Sequence, residues 1–396
     1  MTELTVEEKR AASPYRRPGR LGRMLLVVAV ALVVIVAAYA TYGYENTQKG
    51  GTTLVIYTYS SLLGGGCNAQ NSSSNLSEAL APFEQKYHVT LELECPAGTL
   101  ASTLISEKNS PVADLVIGLD EVTTPQAEAA GVLVPYASPA LADIPADLVN
   151  EVSPDHAVTP YEWGYLGIDY CQGFDNASGG AIAHLNLTEL ATNSTLARNL
   201  IVEDPTVDIV GEEFLLWESQ FYSQVLHQDW KPWWSAVAPR MSTVDSWDTG
   251  DLEYSCAPGT PQMFVSYLTD AAYATYTGVY GPSGSVNSTA SWWGGTAYDW
   301  KTIYGVGIVR GTSHLTLDEE FINWFLGGTL QAQLPTLEWE YPANSTVTMS
   351  PAAAAAYASA LDPSTVHALN DGITPAEIAA NLPNWLDEWQ TTINDA

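Results

Sequence analysis

The run Thr53-Leu-Val-Ile-Tyr-Thr-Tyr59 is β-branched and aromatic almost throughout, and it reads as a buried strand. A Gly/Ser/Asn-rich loop over 60–75 follows. Leu76, Leu80, Phe83 and Tyr87 then recur at helical spacing. A second strand over 89–93, a helix over 98–108 and a third strand over 114–118 complete the unit. Strand–helix alternation predicts an α/β domain with a largely parallel sheet. The alternation returns downstream, with a strand over 200–202 closing on Asp204-Pro205, a helix over 212–222, strands over 262–267 and 304–309, and a helix over 317–325. The Ala-rich tail, 350–396, reads as helical, with Trp385, Leu386 and Trp389 as a packing stripe. A chain of 396 residues can build two such lobes, each with its own core.

Composition removes several function classes. The net charge is −31, from 45 acids and 14 bases, and half of those bases lie before residue 50. Nothing in the rest of the chain would neutralise phosphates, so nucleic acid and polyanions are excluded as partners. Bases are scarce while acids are at an ordinary level, a balance that suits an acidic exterior. Thirteen Trp and 21 Tyr against seven Phe favour wet, ligand-facing positions, since both carry a polar atom on an aromatic body. No phosphate loop, nucleophile elbow or dinucleotide fingerprint occurs, and no Cys or His spacing completes a metal site, so neither enzyme nor cofactor is expected.

The N-terminus predicts export. Residues 1–23 carry Lys9, Arg10, Arg16, Arg17, Arg20 and Arg23, and an uncharged apolar run follows from Met24 to Ala40, with Tyr39 and Tyr42 at its outer end. This is near the minimum length for a spanning helix, and the basic flank places the N-terminus inside. Ala38-Tyr39-Ala40 has the spacing of a signal-peptidase site. The long polar segment and the length of the run favour an uncleaved anchor over 24–42, with 43–51 as linker. Sequons at Asn71, Asn75, Asn176, Asn186, Asn193, Asn287 and Asn344 all lie beyond the span and predict glycosylation. All four cysteines lie there too.

Six segments, in order over roughly 52–395, resemble the thiamine-binding proteins of ABC importers, within the type II solute-binding fold. Leu54-Val-Ile-Tyr-Thr-Tyr-Ser-Ser61 is similar to that family's V-Y-T-Y-D-S strand, and Ala113-Asp-Leu-Val-Ile-Gly-Leu-Asp120 to A-D-V-V-x-G-L-D. Thr159-Pro-Tyr-Glu-Trp-Gly-Tyr165 resembles V-P-F/Y-D-Y-G-Y. Glu203-Asp-Pro205 with Gly211 and Leu215-Leu-Trp217 resembles D-P-x-x-S-x-x-G followed by L-L-W. Val265-Ser-Tyr-Leu-Thr-Asp-Ala-Ala-Tyr273 resembles S-Y-T-T-S-P-A-Y, and Trp339-Glu-Tyr-Pro342 resembles W-M-Y-P. The resemblance implies a two-lobed α/β fold with two crossover strands near 159–168 and 302–310. Lobe 1 would be 52–161 with 309–396, and the crossovers and lobe 2 would fill 162–308. It also implies a monomer that closes on a ligand and hands it to an ABC permease. Of the three possible cysteine pairings, Cys67–Cys95 with Cys171–Cys256 keeps each bridge within one implied lobe.

Thiamine joins a thiazolium to an aminopyrimidine, so its pocket needs aromatic faces and a few hydrogen bonds. Matched motif positions give Tyr59, Trp247, Tyr267, Tyr273 and Trp339 as aromatic contacts, against the plainer reading that some fill the lobe cores. Glu162 would balance a cation or serve as a hydrogen-bonded crossover carboxylate; Asp120 reads first as a turn or cap residue. The chain departs from the family at Ser60, where an acid is usual, at Gly64-Gly65-Gly66-Cys67 and Pro96-Ala97-Gly98, and at Asp208, where a serine is usual. In the family, the loop around that serine helps hold a phosphate. A carboxylate there repels one, which favours free thiamine or another aromatic cation over phosphate esters, although Asp208 also suits a helix cap. Rival ligands in the same fold are polyamines, for which Glu162, Asp208 and Asp120 would serve, and iron, whose binders often use adjacent tyrosines that this chain lacks. A non-transport surface adhesin is the rival from another class.

Overall fold

The computed structural model describes residues 51–67 and 74–396. The expected cytoplasmic stretch, the anchor over 24–42 and nearly all of the linker lie outside the described residues, as does the sequon at Asn71. Among the described residues no helix is long and apolar enough to cross a membrane. Residues Thr53–Ala396 form one compact body.

β1 (Thr52–Tyr57), β2 (Val89–Glu94), β3 (Leu115–Leu119) and the short β4 (Leu133–Val134) open the first lobe. β5 (Val158–Cys171) runs for 14 residues into the second lobe. There follow β6 (Leu200–Glu203), β7 (Ser242–Val244), β8 (Met263–Tyr267), β9 (Val286–Thr289), and the hairpin of β10 (Ser291–Trp293) and β11 (Thr296–Asp299). β12 (Lys301–Val309) returns to the first lobe; β13 (Tyr341–Pro342) lies beside β5, and β14 (Val366–Ala368) beside β11. The main sheet has the order β2-β1-β3-β12-β5-β8-β6-β7. The pairs β1–β3, β6–β8 and β6–β7 are parallel, which requires crossover connections and explains the strand–helix alternation.

β5 and β12 span both lobes. They pair antiparallel from Lys301 opposite Tyr165 to Gly307 opposite Val158. Beyond Tyr165, β5 turns to β8, with Leu166 opposite Tyr267, while β12 continues beside β3, with Ile308 opposite Leu115. Two cores flank this pair. The first packs Leu54, Ile56, Ile117, Phe83, Phe321 and Phe325 around β1, β3 and the C-terminal half of β12. The second collects Phe214, Trp217, Trp233, Trp234 and Trp300. Trp217, Trp233, Trp234, Trp300 and Trp389 are fully buried, so much of the Trp surplus is core rather than ligand-facing. Internal acceptors satisfy most of these indoles, Trp233 Nε1 donating to the Leu187 carbonyl (2.7 Å) and Trp234 Nε1 to Glu218 Oε2 (2.9 Å), whereas Trp389 Nε1 has no hydrogen-bond partner.

The end of the tail packs against the second core. Leu369, Ile378, Leu382 and Trp389 bury in the second core, not the first. The helix Pro375–Asn394 is started by a capping box, Thr374 with Glu377, and lays its apolar stripe on the second lobe; Trp385 and Leu386 pack partly buried beside Trp389. Cys67 is bonded to Cys95 and Cys171 to Cys256, the expected pairing. Two sequons are structural. Asn186 is buried, caps the helix Leu187–Thr192 and donates to the Trp292 carbonyl (2.8 Å); Asn344 is buried and donates to the Leu326 carbonyl (3.0 Å).

Candidate functional site

In open α/β sheets, ligands bind outside the carboxyl ends of the strands, where loops rather than ladders expose side chains. Here five such ends meet between the lobes. Tyr59 and Ser60 follow β1, Thr123 follows β3, Asp208 follows β6, Trp247 follows β7, and Tyr267 ends β8. They enclose a cleft of about 840 Å³. All eight residues singled out from the sequence line it: Tyr59, Ser60, Glu162, Asp208, Trp247, Tyr267, Tyr273 and Trp339.

One wall is aromatic. The rings of Tyr273 and Trp339 meet edge-to-face with centroids 5.3 Å apart, and Tyr276 packs on Trp339 at 5.2 Å. Trp247 Nε1 donates to Ser266 Oγ (2.9 Å), and Ser266 Oγ in turn donates to Asp270, so the indole is fixed by its polar atom. The Tyr267 and Tyr304 hydroxyls share a hydrogen bond of 2.8 Å at the back of the cleft. Tyr59 lies over Gly118, whose φ of +107° and missing side chain make room; a Cβ there would sit 2.6 Å from the tyrosine ring.

The rest of the lining is acidic. Glu162, Asp208, Asp248, Asp251, Asp270, Glu338 and Glu340 all face the cleft, and no Lys, Arg or His is among its lining residues. The Tyr59 hydroxyl lies 2.5 Å from the Tyr161 hydroxyl, 3.2 Å from Glu162 Oε1 and 3.0 Å from Glu338 Oε2, and its single proton serves one of the three. The Leu63 amide donates to the other oxygen of Glu338. Burial pushes Glu338 up to about 7 and Asp270 up to about 6. Burial first, then the neighbouring Glu338, hold Glu162 well above the usual carboxylate range. No basic side chain offsets these acids, so the cleft favours cations over anions.

Asp208 and Asp120 both have local duties. Asp208 caps the helix Ile209–Gln220, accepting from the Val210 amide (2.9 Å). Its carboxylate therefore occupies the helix N-terminus that an anion would otherwise use. Asp120 Oδ1 accepts from the Val122 and Thr123 amides at 3.1 and 2.6 Å, which makes it a turn residue. Ser60 Oγ, from the first lobe, donates to Asp248 Oδ2 of the second (3.2 Å), a hydrogen bond across the cleft. Sequence reasoning missed Tyr304, Asp248, Asp251, Asp270, Glu338 and Glu340. Glu338 and Glu340 flank a motif tryptophan, and Asp270 lies inside a motif segment, so their positions were in view without their roles.

No family model matches the chain. A thiamine-binding periplasmic protein of Brucella suis biovar 1 (strain 1330) is 23% identical over 359 residues, covering 89% of this chain and 95% of that protein. A thiamine-binding periplasmic protein of Escherichia coli (strain K12) is 23% identical over 300 residues, 75% of this chain and 81% of that protein. Among solved structures, a periplasmic thiamin binding protein superposes with a TM-score of 0.69 at 21% identity, covering 87% of this chain and 96% of its own. The periplasmic binding protein AfuA from Actinobacillus pleuropneumoniae, with fructose-6-phosphate bound, gives 0.68 at 18% identity, covering 88% of this chain and all (100%) of its own. The apo ferric ion-binding protein A of Pasteurella haemolytica gives 0.64 at 13% identity, over 86% and 98%. Proteins named for such different ligands share an architecture, and this chain has it: the two-lobed α/β fold of the periplasmic binding proteins.

Proposed function

We propose that this chain is the extracytoplasmic substrate-binding protein of an ABC importer, held at the membrane by residues 24–42, and that it delivers thiamine or a related aromatic cation to a permease. One observation carries the reading. Aromatic faces and seven carboxylates line a single interlobe cleft, and no basic side chain joins them. Rings and carboxylates together suit an aromatic cation. The thiamine-binding relatives cover nearly the whole body of the chain and favour thiamine within that class. The capping role of Asp208 disfavours phosphate esters, since the helix amides that would hold a phosphate already face a carboxylate.

A second reading keeps the fold and takes a polyamine, because the carboxylates are more numerous than one monocation needs. Iron has less support, since its binders often use adjacent tyrosines and no Tyr-Tyr pair occurs in this chain. Titration calorimetry of the purified protein with thiamine, thiamine monophosphate, spermidine and ferric citrate separates these readings. Thiamine is expected to bind tightest. Tightest binding of spermidine would select the polyamine reading, and absence of binding by all four would favour a surface role without transport.

A further inference from the structure

The part of the cleft where β13 runs beside β5 holds carboxylate oxygens without partners. Glu162 is 2% exposed; its Oε1 faces Tyr59, and its Oε2 has no hydrogen-bond partner. Glu340 is 4% exposed; its Oε1 accepts from Thr269 Oγ1 at 3.1 Å, and its Oε2 is also unpartnered. Both side chains line the cleft. A buried oxygen with no donor costs roughly 1–3 kcal/mol, more when charged, so two such oxygens on side chains that line one cleft are costly unless a donor reaches them.

The backbone accommodates this arrangement. Glu162 and Gly164 lie on one face of β5, being two residues apart in a strand. A Cβ on Gly164 would stand 1.8 Å from Glu340 Oε2, so only glycine leaves space for that carboxylate beside Glu162. An extended segment would send Trp339 to the face opposite its two neighbours. Instead Trp339 has a left-handed φ of +63°, and Glu338, Trp339 and Glu340 all line the cleft. Holding a tryptophan in that region costs of order 1–3 kcal/mol, and such strain clusters at ligand clamps.

We propose that the unpartnered oxygens of Glu162 and Glu340 form an amine-recognising subsite, which takes an amino, ammonium or amidinium group carrying N–H donors at one end of the ligand. The proposal rests on the cation-binding reading above and narrows it. The ligand is an aromatic cation with N–H donors at one end, not a wholly quaternary one. The aromatic wall of Tyr273 and Trp339 receives its ring cation, and the two glutamates receive its amine. Other groups facing the pair are Tyr59, Tyr161, Thr269, Glu338 and Asp270, and none supplies a positive charge. Any positive charge beside the pair therefore comes from the ligand.

The test compares thiamine with oxythiamine, which has the same thiazolium but an oxo group in place of the amino donor, by titration calorimetry on the full-length protein in detergent. Thiamine should bind at least about 10-fold tighter than oxythiamine, the effect of one charge-assisted hydrogen bond. In the Glu162→Gln/Glu340→Gln variant that preference should vanish, because glutamine amides can donate to the oxo group. The single Glu340→Gln variant, expected to lose part of the preference, serves if the double variant does not fold. Equal binding of the two compounds by the wild type, or a preference that survives the substitutions, overturns the proposal. If neither compound binds, the thiamine reading fails and the subsite is decided by benzamidine against phenyltrimethylammonium. Binding of benzamidine alone, weakened by the substitutions, keeps the subsite. Equal binding of the two, or none, removes it.

Discussion

Burial of so many acids should make this protein most stable in acid. Glu212, in the first turn of the helix Ile209–Gln220, shows the balance. A helix N-terminus favours the anion by up to about 1 kcal/mol. Burial outweighs that, helped by the charges of Asp120 and Asp208, and raises the carboxyl from 4.5 to about 8. The folded state then binds the proton more tightly than the unfolded chain. The stabilisation is complete below the unfolded value of 4.5 and is lost as pH rises towards about 8. At about 1.4 kcal/mol per pH unit, Glu212 alone withdraws on the order of 3 kcal/mol between pH 4.5 and 7. At an unfolding entropy of about 2 cal/mol/K per residue, this lowers Tm by roughly 4 °C. Glu338, raised to about 7, and Asp120 and Asp270, each raised to about 6, act in the same direction. Among the described residues only the exposed caps Asp362 and Glu377 are lowered. Scanning calorimetry from pH 4 to 8.5 should show Tm falling steadily from the acid end. Glu212→Gln should raise Tm by a few degrees at pH 7.5 and leave it unchanged at pH 4, where glutamine and protonated glutamate are nearly equivalent. A profile that is flat or rises towards neutral pH, or a Glu212→Gln effect of equal size at both pH values, would refute this reasoning.

Other consequences follow from the cleft and the surface. Trp247→Ala and Trp339→Ala should each weaken thiamine binding by roughly 30-fold, the loss of one desolvated cation–π contact of about 2 kcal/mol, with the unfolding transition retained in calorimetry. Asp208→Ser should raise the affinity for thiamine monophosphate relative to thiamine, because a hydroxyl still caps the helix while the like charge is gone; calorimetry of both ligands gives the ratio, and an unchanged ratio would confine Asp208 to its capping role. Glycopeptide mapping of protein from a glycosylating host should find no glycan at Asn186 or Asn344, whose side chains are buried and hydrogen-bonded, while Asn75, Asn176 and Asn193 are exposed and open to modification.

Local periodicity carried most of the fold. The run at 53–59 and the apolar spacing at 76–87 became β1 and the helix Ser74–Tyr87, because a strand and a helix each need a fixed repeat to bury one face. What periodicity lacks is the identity of the partner. Trp385, Leu386 and Trp389 marked a packing stripe correctly, yet a stripe fits either lobe. Which lobe takes it depends on where β12 and the segment after it leave the chain. The Trp count misled for a related reason: an indole N–H needs an acceptor, and composition cannot say whether that acceptor is a ligand or a buried carbonyl such as Leu187's.

The cleft divides along the same line. The candidate aromatics Tyr59, Trp247, Tyr267, Tyr273 and Trp339 could be named from the sequence because their neighbours carry the pattern, and these five line one cavity, while the motif residue Trp217 is core. Glu338 and Glu340 were not, since alternation along an extended segment places them opposite the tryptophan between them. One left-handed residue, Trp339, cancels that alternation, and one absent side chain, at Gly164, opens the space that Glu340 enters. Neither is visible as a pattern, because each depends on a backbone angle or on a residue 176 positions away in sequence that only folding brings near. The acidic base of the cleft, the part that most restricts which cations can fit, therefore arises from long-range geometry, whereas the aromatic wall is written locally. Substitutions that keep the motif but alter Gly164 should leave the chain recognisable while removing Glu340 from the base. Its selectivity among cations would then change without any change in the residues that suggest its ligand.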